Sequence, residues 1–169
     1  MLKLKYTIKD MEARRALDRL ADRMSEPQQA LKECGLVLLR SIAKTFKQGG
    51  RPVRWKSSGR SRRRGGKTLI HTARLMRSIT MQVQGNTLSV GTNVKYAAVQ
   101  HLGIDKNVHI KEHWRYMRKA FGREIPGRRV LIPAHERRMT IPARPFLVIQ
   151  DQDWRVFDRI LGDHLTGKA

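Results

Sequence analysis

Acidic residues are missing from the centre of this 169-residue chain. No Asp or Glu lies between Glu33 and Asp105, while the same stretch carries fourteen Lys and Arg. A magnesium-dependent nuclease needs clustered carboxylates to hold its metal. The fourteen acids present fall instead mostly where helix caps and helix surfaces are expected. Cysteine occurs once, at Cys34, which excludes an internal disulfide framework and fits a reducing compartment. Uninterrupted apolar runs are short, as at Leu36–Leu39, against the roughly 20 residues that cross a bilayer. The leading MLKLKYTIKD lacks the apolar core of a signal peptide. A Walker A loop, a GxGxxG after a strand, a CxxC pair and a nucleophile elbow are also lacking. These absences read as a non-enzyme without a cofactor.

What is present is positive charge. The formal net charge is +22, and 40% of the residues are hydrophobic, enough for one folded domain with a real core. Surfaces built only for solubility intersperse both signs. The segregation seen here points to a polyanionic neighbour, either nucleic acid or the acidic face of a protein.

Periodicity supplies the elements. Leu2, Leu4, Tyr6 and Ile8 alternate as in a strand. Asp10 is placed to cap a helix to about Met24, with Ala13, Leu17, Leu20 and Met24 on one face. Ser25 and Gln28 have capping-box spacing for a second helix to about Lys47, whose stripe is Leu31, Cys34, Leu38, Ile42 and Phe46. Cys34 on that stripe reads as a packed thiol.

Residues 47–67 hold nine Lys/Arg, five Gly and no acid, and are expected to form a flexible basic loop. Trp55 is the one residue suited to pin it to the body. Thr72 is expected to cap a short helix that packs Leu75, Met76 and Ile79. Residues 79–92 read as a hairpin turning at Gly85-Asn86, and 96–103 as a short helix stopped by Gly103. Residues 109–121 read as a basic amphipathic helix with Ile110, Trp114, Met117 and Phe121 on its apolar face. Segments 128–134 and 137–143 are expected to pair as a second hairpin, and a last helix runs from Asp151 to His164, capped by Asp151 or Asp153. The expected class is α+β, with two N-terminal helices and a C-terminal helix packed on a small antiparallel β-sheet. The chain reads as a single domain over residues 1–169.

One pattern suggests metal chemistry. His109, Glu112 and His113 have the H-x-x-E-H order of inverzincins, which on a helix would put two imidazoles on one face with Glu112 as base. Trp114 and Met117 occupy the neighbouring face and no downstream acid has a ligand's context, so surface histidines are the preferred reading. The segment MTIPARPFLVI (139–149) is neither helix nor central strand, because Pro142 and Pro145 remove donors and hold the residues before them extended. It reads as a rigid arm that delivers Phe146 and Leu147 to a fixed place. That place is either this chain's own core or a neighbouring subunit.

The order of FKQGGRPVRW (46–55), LIHTARLMRSI (69–79), LSVGTNVKYAAVQHLG (88–103) and IPARPFLVI (141–149) resembles the virion morphogenesis family of tailed phages, which includes tail-completion and head–tail joining proteins of Mu-like prophages. Matching positions are Trp55, Leu69, Thr72, Leu75, Ser78, Ile79, Gly91, Tyr96, Ala97, Gly103, Pro142, Ala143, Arg144, Pro145, Phe146 and Leu147. Ala73 stands where the family usually has glycine, Gln100-His101 inverts the usual order, and Leu102 replaces Phe. Residues from about 104 to 138 look like a basic insertion of this chain's own.

The resemblance implies a structural protein of the phage neck or tail end, made in the bacterial host cytoplasm and carried in the virion at the head–tail junction or tail end. It implies a homo-oligomeric ring whose partners are other neck, connector or tail proteins, with no catalytic residue, metal or membrane. Arg51, Arg54, Lys56, Arg60, Arg62, Arg63, Arg64 and Lys67 are the expected partner- or DNA-facing cations, with non-specific contact to packaged DNA. Trp55, Thr72, Gly91, Tyr96, Gly103, Pro142, Arg144, Pro145 and Phe146 are the expected structural or subunit-contact positions. The alternative is a basic nucleic-acid-binding protein without a catalytic role.

Overall fold

The Asp10 carboxylate accepts hydrogen bonds from the backbone N–H groups of Glu12 and Ala13, at 3.1 and 3.0 Å, and so opens the first helix, α1 (Met11–Ser25). The computed structural model describes residues 10–168, so the strand expected at 2–8 lies outside them. No residue of α1 is buried, and its expected apolar face, including Leu17 and Met24, is exposed. Its tie to the body is polar. The Arg23 guanidinium donates to the Leu165 carbonyl at 2.8 Å, near the C-terminal end of the last helix, where a cation is favoured.

The second helix, α2 (Gln28–Gln48), carries the core. Cys34, Leu38, Ile42 and Phe46 are buried at steps of four, as expected, while Leu31 is half-buried. The expected capping box is not formed: Ser25 closes α1, and Pro27 stands at the N-cap of α2 without a side-chain bond. A proline needs no donor there, so the helix starts without the Ser25–Gln28 pair. The antiparallel hairpin β1 (Ile79–Gln84) and β2 (Thr87–Thr92) pairs Gln84 with Thr87 across Gly85-Asn86, as the two-residue turn requires. The last helix, α6 (Asp151–Thr166), packs on α2. Its N-cap is Gln150 rather than Asp151 or Asp153; Asp153 sits one turn in and accepts from the Gln150 backbone N–H at 2.9 Å.

Two further short helices lie between these elements. The segment expected to lack regular structure contains α3 (Gly59–Arg64), whose N-cap Ser58 accepts from the Ser61 N–H. The helix expected from Thr72 is the single turn α4 (Arg74–Arg77). Its N-cap is Ala73 in the left-handed region, φ 56°, where a Cβ is disfavoured. Thr72 is displaced from the cap because the chain turns at Ala73 instead, leaving only a long 3.5 Å contact from the Arg74 N–H to its hydroxyl.

The chain divides into two compact units, Met1–Ala97 with Pro145–Ala169, and Ala98–Arg144. Helix α5 (Ala97–Leu102) ends at Gly103, φ 77°, as expected. The remainder of the second unit departs from expectation. Residues 109–121 are not a helix: β3 (Ile104–Ile110) and β4 (His113–Ala120) run through them. Segments 128–134 and 137–143 are not each other's partners either. Strand β5 (Arg123–Ile132) pairs with β4, and β6 (His135–Ile141) pairs with β3.

The register shows why these strands belong together. Ile104 faces Ile141, Ile110 faces His135, His113 faces Ile132 and Met117 faces Arg128, with no slip across the gap at 111–112 and 133–134. The four strands are therefore two segments of one two-stranded ribbon, about 55 Å of contour along each arm at ~3.3 Å per residue. Its tip is Phe121-Gly122, with φ of 51° and 78°, the positive pair that a tight hairpin turn needs. A phenylalanine in that region costs about 1–2 kcal/mol.

Two substitutions test this backbone reading. Ala73→Gly should raise stability by about 0.5–1 kcal/mol by relieving the left-handed cap, read as a higher urea midpoint. Gly103→Ala should cost about 2 kcal/mol or more. A Cβ there would stand 2.7 Å from the Ala143 nitrogen and 2.8 Å from the Ile141 oxygen, both backbone atoms that cannot turn aside. Amide exchange in residues 98–144 should rise in that variant.

Candidate functional site

Three features stand out: an anchored basic segment, a set of motif residues and an apolar groove.

The basic segment between α2 and α4 is held at several points. Trp55 is buried, lies edge-on to Phe46 with ring centroids 5.6 Å apart, and donates from Nε1 to the Pro145 carbonyl at 3.0 Å. Gly50, φ 114°, allows this fold-back: a Cβ would lie 2.6 Å from the Val53 oxygen and 2.7 Å from the Trp55 nitrogen. Lys67 Nζ donates to the Lys47 carbonyl at 2.9 Å, closing the segment's ends on each other. Arg60 bonds within the segment, to the Lys67 carbonyl at 2.6 Å. Arg54, Lys56, Arg62, Arg63, Arg64 and Lys67 are exposed and acid-free in sequence, a display of cations on a fixed frame.

Arg51, expected among those cations, is half-buried and hydrogen-bonded within the chain instead of exposed beside them. Its Nη2 donates to the Ser41 carbonyl at 2.6 Å and to Ser41 Oγ at 2.7 Å, and its Nε to Thr45 Oγ1 at 3.0 Å. Ser41 in turn donates to the buried Asp153 Oδ2 at 2.6 Å. The chain Arg51–Ser41–Asp153 thus ties the basic segment, α2 and the start of α6. The signal for it was readable: Ser41 and Thr45 sit beside Ile42 and Phe46 on the buried side of α2, and buried hydroxyls need partners.

The motif residues fall into distinct environments. Phe146 is buried against Phe46, centroids 5.3 Å apart, so the proline-bracketed segment closes this chain's own core from Pro145 on. Arg144 is also buried: its Nη1 donates to Gln100 Oε1 at 2.8 Å and its backbone N–H to the Gln100 carbonyl at 2.9 Å. Burial lowers its pKa from the ordinary arginine value, and the guanidinium stays charged. Pro142 and Gly91 are half-buried, while Thr72 and Tyr96 are exposed. Burial raises the Cys34 pKa, with Glu33 adding to the effect, which keeps the thiol protonated and inert.

His109 and His113 lie on two different strands, so the helical i,i+4 face behind the zinc pattern does not exist. His113 Nδ1 lies 3.0 Å from the Lys111 carbonyl. Among the described residues, no three His, Cys, Asp or Glu side chains are grouped to hold a metal ion.

The groove lies in the first unit. Leu31, Cys34, Leu38 and Ile42 of α2, Leu88 and Val90 of β2, residues 147–149, and Trp154, Phe157, Asp158 and Leu161 of α6 line about 410 Å³ of mostly apolar space. Trp154 is 53% exposed at its wall. Among the described residues no helix is long and apolar enough to cross a membrane.

The phage virion morphogenesis family matches residues 8–166, and the chain belongs to that family. A relative from Haemophilus influenzae (strain ATCC 51907 / DSM 11121 / KW20 / Rd), Mu-like prophage FluMu G protein 2, is 32% identical over 138 residues, which is 82% of this chain and 78% of that protein. No solved structure matches. The chain is thus a phage protein of virion morphogenesis.

Asp153→Ala should destabilise the protein by about 1–3 kcal/mol, since it strands the Ser41 hydroxyl and the Gln150 N–H. Chemical denaturation of both forms gives the difference, and an unchanged midpoint would remove Asp153 from the account of how α6 is held.

Proposed function

We propose that this protein is a structural, non-enzymatic component of the phage neck or tail end, acting in tail completion and head–tail joining. It works as a homo-oligomeric ring against other neck, connector or tail proteins. The observation that carries this reading is the cationic segment on its fixed frame. A mobile tether would lose much of its charge attraction to ordering entropy on docking. Here Trp55, Gly50 and the Lys67–Lys47 bond have already ordered the segment, so Arg54 and Arg62–Arg64 meet an acidic partner surface pre-arranged. Family membership and the Mu-like prophage relative support the assignment.

A second reading, a basic nucleic-acid-binding protein, is favoured by the net charge of +22. It requires tight, saturable duplex binding at physiological salt. Weak binding that vanishes as salt rises is what any protein so charged would give.

The test is to replace Arg62, Arg63 and Arg64 together by Glu in the intact phage. The three side chains are exposed, so the purified variant should unfold at the wild-type denaturant concentration. Infectious particles should fall by roughly a hundredfold as like charges now face the partner, with unjoined heads and tails accumulating under the electron microscope. Normal yield of joined particles would end the assignment of this segment to joining.

A further inference from the structure

Among the described residues, the outer half of the ribbon β3–β6 carries large apolar side chains that are exposed. Trp114, Tyr116 and Leu131 are exposed, with Trp114 at 66%, and by register Trp114 and Leu131 share one face with Tyr116. Met117, Val130 and Ile132 are half-buried on the other face. At the tip, Phe121 is fully exposed and held at positive φ. A two-stranded ribbon alone is marginal in water, so this one needs something to pack against. A large apolar ring placed in solvent at a disfavoured φ serves contact rather than local stability. Tryptophan, tyrosine and arginine are the side chains that anchor protein interfaces, and here Arg118 lies over the Tyr116 ring at 5.6 Å.

We propose that the outer half of the ribbon docks in the apolar groove of a second copy of this chain. This deepens the ring reading above and rests on it. The two surfaces match in character and charge. The ribbon presents Trp114, Tyr116 and Leu131, and the groove presents an apolar trough walled by Trp154, Leu161 and Ile149. Strands β4 and β5 with their turn carry six Lys/Arg against Glu124 alone. The groove contains Asp158, and outside the buried Asp153 the α6 helix holds three aspartates, Asp151, Asp158 and Asp163, against Arg155 and Arg159. Duplex nucleic acid fits less well, because phosphates offer nothing to the exposed Leu131. Ribbon and groove are different patches of one chain, so repeated docking is head-to-tail and gives a ring when its rotation closes.

The experiment uses purified full-length protein. Sedimentation equilibrium should show self-association, with the dissociation constant raised at least tenfold by Trp114→Asp on the ribbon and, separately, by Leu161→Asp at the groove. Photo-cross-linking guards against misfolded variants. Benzoylphenylalanine at position 121, in an equal mixture of ¹⁴N and ¹⁵N protein, should give mixed-isotope cross-links to peptides containing Leu31, Leu88 or Leu161. Cross-links within one isotope only would mean that the chain covers its own ribbon, and the proposal falls. It falls equally if the protein stays monomeric, if cross-links reach only surfaces away from the groove, if the groove is instead filled by the chain's own leading residues, or if added duplex DNA is the sole adduct. These outcomes are separable from the head–tail reading. A wild-type mass for both Asp variants, beside joining defects in the Arg62–Arg64 variant, would overturn the docking and leave the assembly role standing.

Discussion

The Trp55 indole, set edge-on to Phe46 and hydrogen-bonded to the Pro145 carbonyl, joins the end of α2 and the basic segment that follows it to a stretch 90 residues further along the chain. Phe46 ends the buried stripe of α2, Trp55 belongs to the basic segment, and Pro145 begins the return into α6. Phe146 then fills the remaining side of Phe46, which has no solvent exposure. Fully burying such rings stabilises by roughly 1.5–3 kcal/mol each. Their arrangement matters more than that sum, because the same contact that closes the core also fixes where the cations sit.

The polar lock beside it follows the same logic. Arg51 comes from the most basic part of the chain, yet its guanidinium is spent inside, on Ser41 and Thr45. Asp153 completes the chain of bonds from the first turn of α6. A segment rich in arginine would otherwise repel itself and stay open. Like residues in this segment thus take different places in the fold, which composition does not reveal.

In the second unit the organising constraint is register. An unbroken pairing frame from Ile104–Ile141 to Met117–Arg128, resumed past a bulge at Lys119–Glu124, makes a single ribbon out of what local pattern presents as separate pieces. Asp105 and Arg138 add a bidentate pair at 2.9 and 2.7 Å on its exposed face, and Arg138 followed by Thr140 holds the Asp105 pKa below the usual carboxylate range.

By itself the sequence determined the α2 stripe, the Asp10 cap, the Gly85-Asn86 hairpin, the stop at Gly103, the pinning role of Trp55 and the family. All of these rest on near neighbours: a repeat of three or four, a capping side chain, a residue suited to positive φ, or a set of ordered motifs. Tertiary structure decided the rest. Ile110, Trp114, Met117 and Phe121 are spaced as a helix would have them, but Val108, Ile110, Trp114 and Tyr116 also fit a strand, and the choice lay with partners as far along the chain as Arg137, which faces Val108. The φ of Ala73, the inward turn of Arg51 and the groove beside Trp154 are likewise set by what packs against them. A local pattern lists the conformations a segment can adopt, and only long-range pairing and burial select among them.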